Sequence, residues 1–152
     1  MYEAIPAAPR LERKRSIYIV GSLRNPKVLE VAAALRGAGH EVFDDWYSAG
    51  EKADDAWQAY SKQRGWSYQE ALDGYSAQHV FSFDKKHIDR CDTGLLVLPA
   101  GKSGHLELGY MIGRGKEGYI LLDGEPERLD VMYAFATRVF SSLDEAKERL
   151  SV

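Results

Sequence analysis

Thr93-Gly-Leu-Leu-Val-Leu98, running on into Pro99-Ala-Gly-Lys-Ser-Gly-His-Leu-Glu-Leu-Gly-Tyr-Met-Ile-Gly113, is the stretch that decides the fold. Its first part is a continuous apolar run, the pattern of a parallel strand buried on both faces. Its second part reads as a loop rich in Gly and Ser that opens a helix. In an open α/β sheet such a loop lies at the carboxyl end of its strand, where ligands bind. The spacing places Glu107 in the first turn of the helix, where unpaired backbone N–H groups would keep its carboxylate ionised. An ionised carboxylate beside a Gly-rich loop suits attack on an electrophilic carbon or stabilisation of a cation. Complementing the helix dipole is the plainer role that first-turn acids have.

Upstream of this stretch, Ser16-Ile-Tyr-Ile-Val20 is a short β-rich run closed by Gly21. Asn25-Pro26 then supplies an N-cap and a proline at the first helical position. Val28, Val31, Ala32, Leu35 and Ala38 recur at helical spacing until Gly37 and Gly39 stop the helix, and Glu41–Asp44 follows as a second strand. Residues 16–44 thus make a βαβ unit. In its first loop, Gly21, Ser22 and Arg24 bring a helix N-terminus, a hydroxyl and a guanidinium together, a pattern suited to phosphate.

Asp45 to Val80 reads as a helical insertion after the second strand. It holds Trp46, Trp57 and Trp66, with Tyr47, Tyr60, Tyr68 and Tyr75. Residues 53–64 and 67–75 suit short helices, the second opened by Ser67 with Glu70 three residues later. Most of these rings suit packing of a helical hairpin on the sheet edge. Asp45 and Trp46, nearest the strand end, are candidates to hold a flat aromatic ligand.

Residues 81–92 read as a helix with Phe83, Ile88 and Cys91 inward, and the eight-residue spacing of Asp84 and Asp92 suits one helix face. Gly118–Leu122 is a fourth strand, residues 129–137 contain a short helix, and Arg138–Phe140 is a fifth strand. Ser142 and Glu145 form a capping box that opens a last helix. The alternation predicts a doubly wound (Rossmann-like, flavodoxin-like) five-stranded parallel sheet in the order 2-1-3-4-5. The expected layout is a flexible lead-in over residues 1–15 and a single α/β domain over 16–152.

Composition narrows the function. A net charge of −3 gives no basic footprint for nucleic acid. No apolar run approaches the roughly 20 residues of a membrane helix. One cysteine, Cys91, leaves no internal disulfide and suits a cytoplasmic protein, and residues 1–15 lack a signal-peptide core. His40, His79, His87 and His105 have no metal-ligand spacing, so neither a metal nor a cofactor is expected. No Gly-x-Ser-x-Gly elbow, Walker A loop or dinucleotide fingerprint is present. Two carboxylates brought together, Glu107 with Asp84, would suit glycosidic chemistry.

Tyr18-Ile-Val-Gly-Ser-Leu-Arg24, Asp84 ahead of Asp92-Thr-Gly-Leu-Leu-Val, and Ser103-Gly-His-Leu-Glu-Leu-Gly109 together resemble the nucleoside 2-deoxyribosyltransferase superfamily. Within it they look closest to the 2'-deoxynucleoside 5'-phosphate N-hydrolases and the CMP N-glycosidases. The resemblance spans about residues 16–140 and leaves the insertion unexplained. It implies a covalent N-glycosidase: Glu107 attacks the sugar C1', Asp84 assists at the leaving base, and Tyr18, at the end of the first strand, holds the nucleophile or sugar. It also implies phosphate recognition by Ser22 and Arg24 beside Gly21, with Ser103, Gly104 and His105 lining the second loop. Asn25-Pro26 departs from the family's glycines. Members are dimers or higher oligomers, so Met132 and Tyr133 would contribute to a partner's site. The expected activity is cleavage of the base–sugar bond of a (deoxy)nucleoside 5'-monophosphate. Base exchange between deoxynucleosides is the nearest alternative, with a non-catalytic nucleotide sensor and cleavage of a dinucleotide behind it.

Overall fold

The structure, a computed structural model, describes residues 13–152. Its strands are β1 (Ser16–Val20), β2 (Glu41–Phe43), β3 (Thr93–Val97), β4 (Glu117–Leu121) and β5 (Arg138–Phe140). Its α-helices are α1 (Lys27–Gly37), α2 (Lys52–Gln63), α3 (Tyr68–Asp73), α4 (Tyr75–Arg90), α5 (Lys102–Gly113) and α6 (Leu143–Arg149). Short 3-10 turns occupy Asp45–Ala49 and Val131–Phe135. The strands form one parallel sheet in the order β2-β1-β3-β4-β5, the doubly wound arrangement expected.

The two-residue period of the strands sorts the core into two layers. Ile17, Ile19, Leu95, Val97, Tyr119 and Leu121 face one side, where Val28, Val31 and Leu35 of α1 and Ala146 of α6 cover them. Tyr18, Val20, Leu96 and Ile120 face the other, under Ile88 of α4 and Leu108 and Met111 of α5. Each fully buried aliphatic side chain contributes about 1.5–3 kcal/mol. The strands tolerate continuous apolar sequence because both faces are covered.

Helix ends follow their local sequence. Asn25 Oδ1 accepts the Lys27 N–H at the start of α1. Ser67 and Glu70 form a complete capping box on α3. Ser142 caps α6, although Glu145 turns its carboxylate to Ser141 instead. The Lys116 ammonium donates to the carbonyls of Ile88, Asp89 and Cys91, neutralising the C-terminal end of α4.

Several expectations are corrected. The fourth helix starts at Tyr75, so it takes in the last residues assigned to the insertion, and Phe83 is largely exposed. That helix ends at Arg90, which puts Asp92 at the amino end of β3, away from Asp84 and bonded to Arg13 and Thr93. Residues 1–12 of the predicted lead-in lie outside the described residues. Arg15, the last of that segment, is 1% exposed and donates to Glu117 across the sheet.

Candidate active site

Phe43, Tyr18, Gly94 and Gly118 lie abreast across β2, β1, β3 and β4. This row combines two aromatic rings with two glycines, and the glycines let α5 sink onto the sheet. A Cβ on Gly94 would stand 2.7 Å from Met111 Sδ, and one on Gly118 2.5 Å from Ile112 Cγ1. Gly104 makes the matching approach from α5 itself: its Cβ would meet Leu96 at 3.0 Å. With the helix seated so low, the Glu107 carboxyl comes to lie beside the Tyr18 hydroxyl, which acts on it as a donor. Asp84 of α4 faces the same space and is half-buried.

Low dielectric and mutual repulsion set the chemistry of this trio. Burial pushes the Asp84 carboxyl up to about 6. Glu107 is pushed up to about 7, first by burial and then by the Asp84 charge, while the Tyr18 hydrogen bond pulls it back. Burial, then the charges of Glu107 and Asp84, hold the Tyr18 phenol far above its usual range, so it stays a donor. Near neutrality the pair therefore shares about one proton, held by Glu107 ahead of Asp84, and Tyr18 works against that order by favouring the Glu107 carboxylate.

That overturns the expectation that helix-start N–H groups keep Glu107 ionised. Helix α5 begins at Lys102, which puts Glu107 in its second turn, beyond the reach of the first-turn effect. Ser103, Gly104 and His105 likewise belong to the helix, not to a loop. Tyr18 sits in the middle of β1, not at its end.

An aromatic column that the sequence did not reveal stands beside the trio. Tyr18 stacks on Phe43 at 5.5 Å, and Phe43 stacks on the His87 ring at 4.0 Å with 12° between planes. Phe83 meets His87 edge-on at 4.8 Å. Arg90 Nε donates to His87 Nδ1, and burial followed by the Arg90 charge holds that imidazole below its usual pKa. The available signal was Asp84 and His87 at i, i+3 on one helix face. Phe43 becomes visible only once β2 is paired with β1.

The other candidates lie around this centre. Ser22 Oγ accepts the Arg24 N–H, and Arg24 Nη2 makes an ion pair with Asp55 Oδ2 of α2 at 3.1 Å. Gly21 packs against Val28 beneath that loop. Trp46 donates its indole N–H to the Ile19 carbonyl at 2.8 Å and packs on both core layers, so its polar edge serves the fold, and Asp45 beside it is exposed. Ser103 is exposed. His105 stacks on Tyr133 of its own chain, with its Nε2 2.9 Å from the Tyr133 hydroxyl and its Nδ1 on the Gly101 carbonyl. His105 and Gly101, with Ala100, Lys102 and Leu106, border a shallow open depression. Met132 is exposed on the turn that carries Tyr133. Among the described residues, no three His, Cys, Asp or Glu side chains group as metal ligands, and no helix is long and apolar enough to cross a membrane.

Fold and site together define a doubly wound α/β domain with a half-buried carboxylate pair and a tyrosine under one helix layer. A solved structure described as a 2-deoxyribosyltransferase from the psychrotolerant bacterium Bacillus psychrosaccharolyticus shares this fold. The TM-score is 0.59 at 18% identity, with 87% of this chain and 90% of that chain covered. No family model and no curated protein matches the chain.

Proposed function

We propose that the protein is an enzyme that cleaves the N-glycosidic bond of a nucleoside or nucleoside 5'-monophosphate, with Glu107 as nucleophile. The observation that carries this reading is the convergence of Glu107, Asp84 and the Tyr18 hydroxyl in one half-buried cluster with raised carboxyl pKa values. Supporting it are the superfamily motifs around Tyr18, Asp84 and Glu107 and the shared fold with a 2-deoxyribosyltransferase.

The reactive protonation state is the minor arrangement of the shared proton, with Glu107 a carboxylate and Asp84 protonated. A Glu107 oxygen forms a bond to C1' as the C1'–N bond breaks, and Asp84 gives its proton to the departing base. Water then attacks C1' of the glycosyl ester, Asp84 takes the water proton, and the Glu107 carboxylate is released. The half-buried His87 ring, backed by Phe43, offers the base an aromatic face.

Hydrolysis of the 5'-monophosphate is the first reading, supported by Ser22 and Arg24 in the β1–α1 loop. Base exchange between deoxynucleosides is the second, and the Arg24–Asp55 ion pair favours it because that guanidinium is already engaged. Base release from a panel of ribo- and deoxynucleosides and their 5'-monophosphates, with and without a second free base, tests both. Release that Glu107→Ala abolishes supports the enzyme. Exchange without hydrolysis selects the transferase. No release by folded wild-type protein, with ligand-dependent stabilisation retained, would sink catalysis and leave a nucleotide sensor.

A further inference from the structure

Helix α2 is the least integrated of the described α-helices. Among its residues only Ser61 is buried, and it shares no broad packing with any other element among the described residues. Its polar tie to the sheet body is the bond between Asp55 and Arg24, the basic residue of the loop that follows β1. Both side chains are more than half exposed, at 59% and 64%, so the pair is weak and displaceable. The loop itself is prepared for an anion. Ser22 Oγ uses a lone pair on the Arg24 N–H and keeps its own proton to donate, and Asp55 engages only Nη2 of the guanidinium.

We propose that Asp55 is a specificity-determining residue that competes with the phosphate of an incoming nucleotide for Arg24. The proposal rests on the reading of the β1–α1 loop as the phosphate end of the site. A carboxylate on the guanidinium meets the same donor that a phosphate monoester would use, and its charge repels that dianion. A substrate without phosphate leaves the pair intact. A monophosphate must displace or approach Asp55, and displacement frees the amino end of α2 from the loop. Asp55 thus shifts selectivity toward uncharged nucleosides, and the strength of the pair sets how far.

The probe is 2-deoxyribose 5-phosphate, whose binding needs no knowledge of the base, with 2-deoxyribose as the neutral control. Asp55→Asn is expected to bind the phosphate sugar about five- to tenfold more tightly than wild type, with no change for 2-deoxyribose. Arg24→Ala is expected to weaken phosphate-sugar binding, and in the double variant the gain from Asp55→Asn should vanish. Amide exchange across residues 52–63 should rise in Asp55→Asn and in wild type with the phosphate sugar bound. If Arg24→Ala weakens binding while Asp55→Asn changes nothing, or if the gain survives without Arg24, the role of Asp55 is overturned and the phosphate loop stands. If wild type does not bind the phosphate sugar, or Arg24→Ala leaves its affinity unchanged, the loop reading falls and takes the proposal with it. Both residues are exposed, so the variants should fold.

Discussion

Replacing Glu107 by Gln should stabilise the protein at pH 8 and have little effect near pH 4.5. The Glu107 carboxyl is raised from 4.5 to about 7, by burial and then by Asp84. Between those values the folded protein keeps a proton that the unfolded chain has released. The native state therefore binds more protons, and stability falls as pH rises through the window. The penalty is absent below the unfolded value and complete above about pH 7. A rise of this size corresponds to about 3 kcal/mol. Gln removes the ionisation but keeps the shape and an oxygen that can accept from Tyr18. For a chain of this length the gain at pH 8 amounts to roughly 6–10 °C in Tm. Urea and thermal unfolding of both proteins at pH 4.5, 6 and 8 would measure it without any substrate. A difference that does not grow with pH, or a Gln variant less stable than wild type at pH 8, would refute the assignment of Glu107 as a charge held in an unfavourable place.

Tyr18→Phe removes the hydroxyl that favours the Glu107 carboxylate, so the share of the pair in the reactive protonation state, and with it kcat for base release, should fall about ten- to a hundredfold. An unchanged kcat would detach Tyr18 from the nucleophile. Gly118→Ala drives a Cβ into Ile112 and should lift α5, at about 1–3 kcal/mol in urea unfolding and a larger loss of base release. Lys116→Met leaves the carbonyls of Ile88, Asp89 and Cys91 without their cation and should cost about 1–3 kcal/mol, read the same way.

The sheet was legible because its rules are local. Ser16–Val20 and Thr93–Val97 are apolar runs that only a covered parallel strand accommodates, and the caps at Ser67 and Ser142 mark their helices. Tyr18, Asp84 and Glu107, which the motifs single out, lie in one cluster. What failed depends on longer reach. The start of α5 is hidden because Lys102 to His105 have the composition of a flexible loop, and only the packing of Gly104 on Leu96 makes them helical. That shift by a turn reversed the expected pKa of Glu107, since first-turn stabilisation gave way to burial. The sequence starts helix α4 six residues late, because most of Tyr75 to Val80 is exposed and the segment lacks an apolar period. The aromatic column is a product of strand pairing, which no spacing along the chain encodes. Asp55 and Arg24 lie 31 positions apart, so their pairing belongs to the insertion's placement.

The glycine row and the raised carboxyls are cause and effect. Without Gly94 and Gly118, α5 would ride higher, Glu107 would be solvated, and its carboxyl would relax toward the ordinary range. Such a carboxylate would be easier to ionise but would gain less from a developing positive charge, because water would already stabilise it. In the seated helix the ionised form is disfavoured by burial and by Asp84. On the proposed chemistry, the cationic sugar at the transition state relieves both penalties, whereas a neutral ground-state sugar relieves neither. Interactions that strengthen only at the transition state are the ones that accelerate a reaction. The stability that Glu107→Gln recovers at pH 8 is therefore a measure of the electrostatic stress the site holds ready for that moment. Gly118→Ala combined with Glu107→Gln should recover less of it than Glu107→Gln alone, because a lifted helix has already let water in.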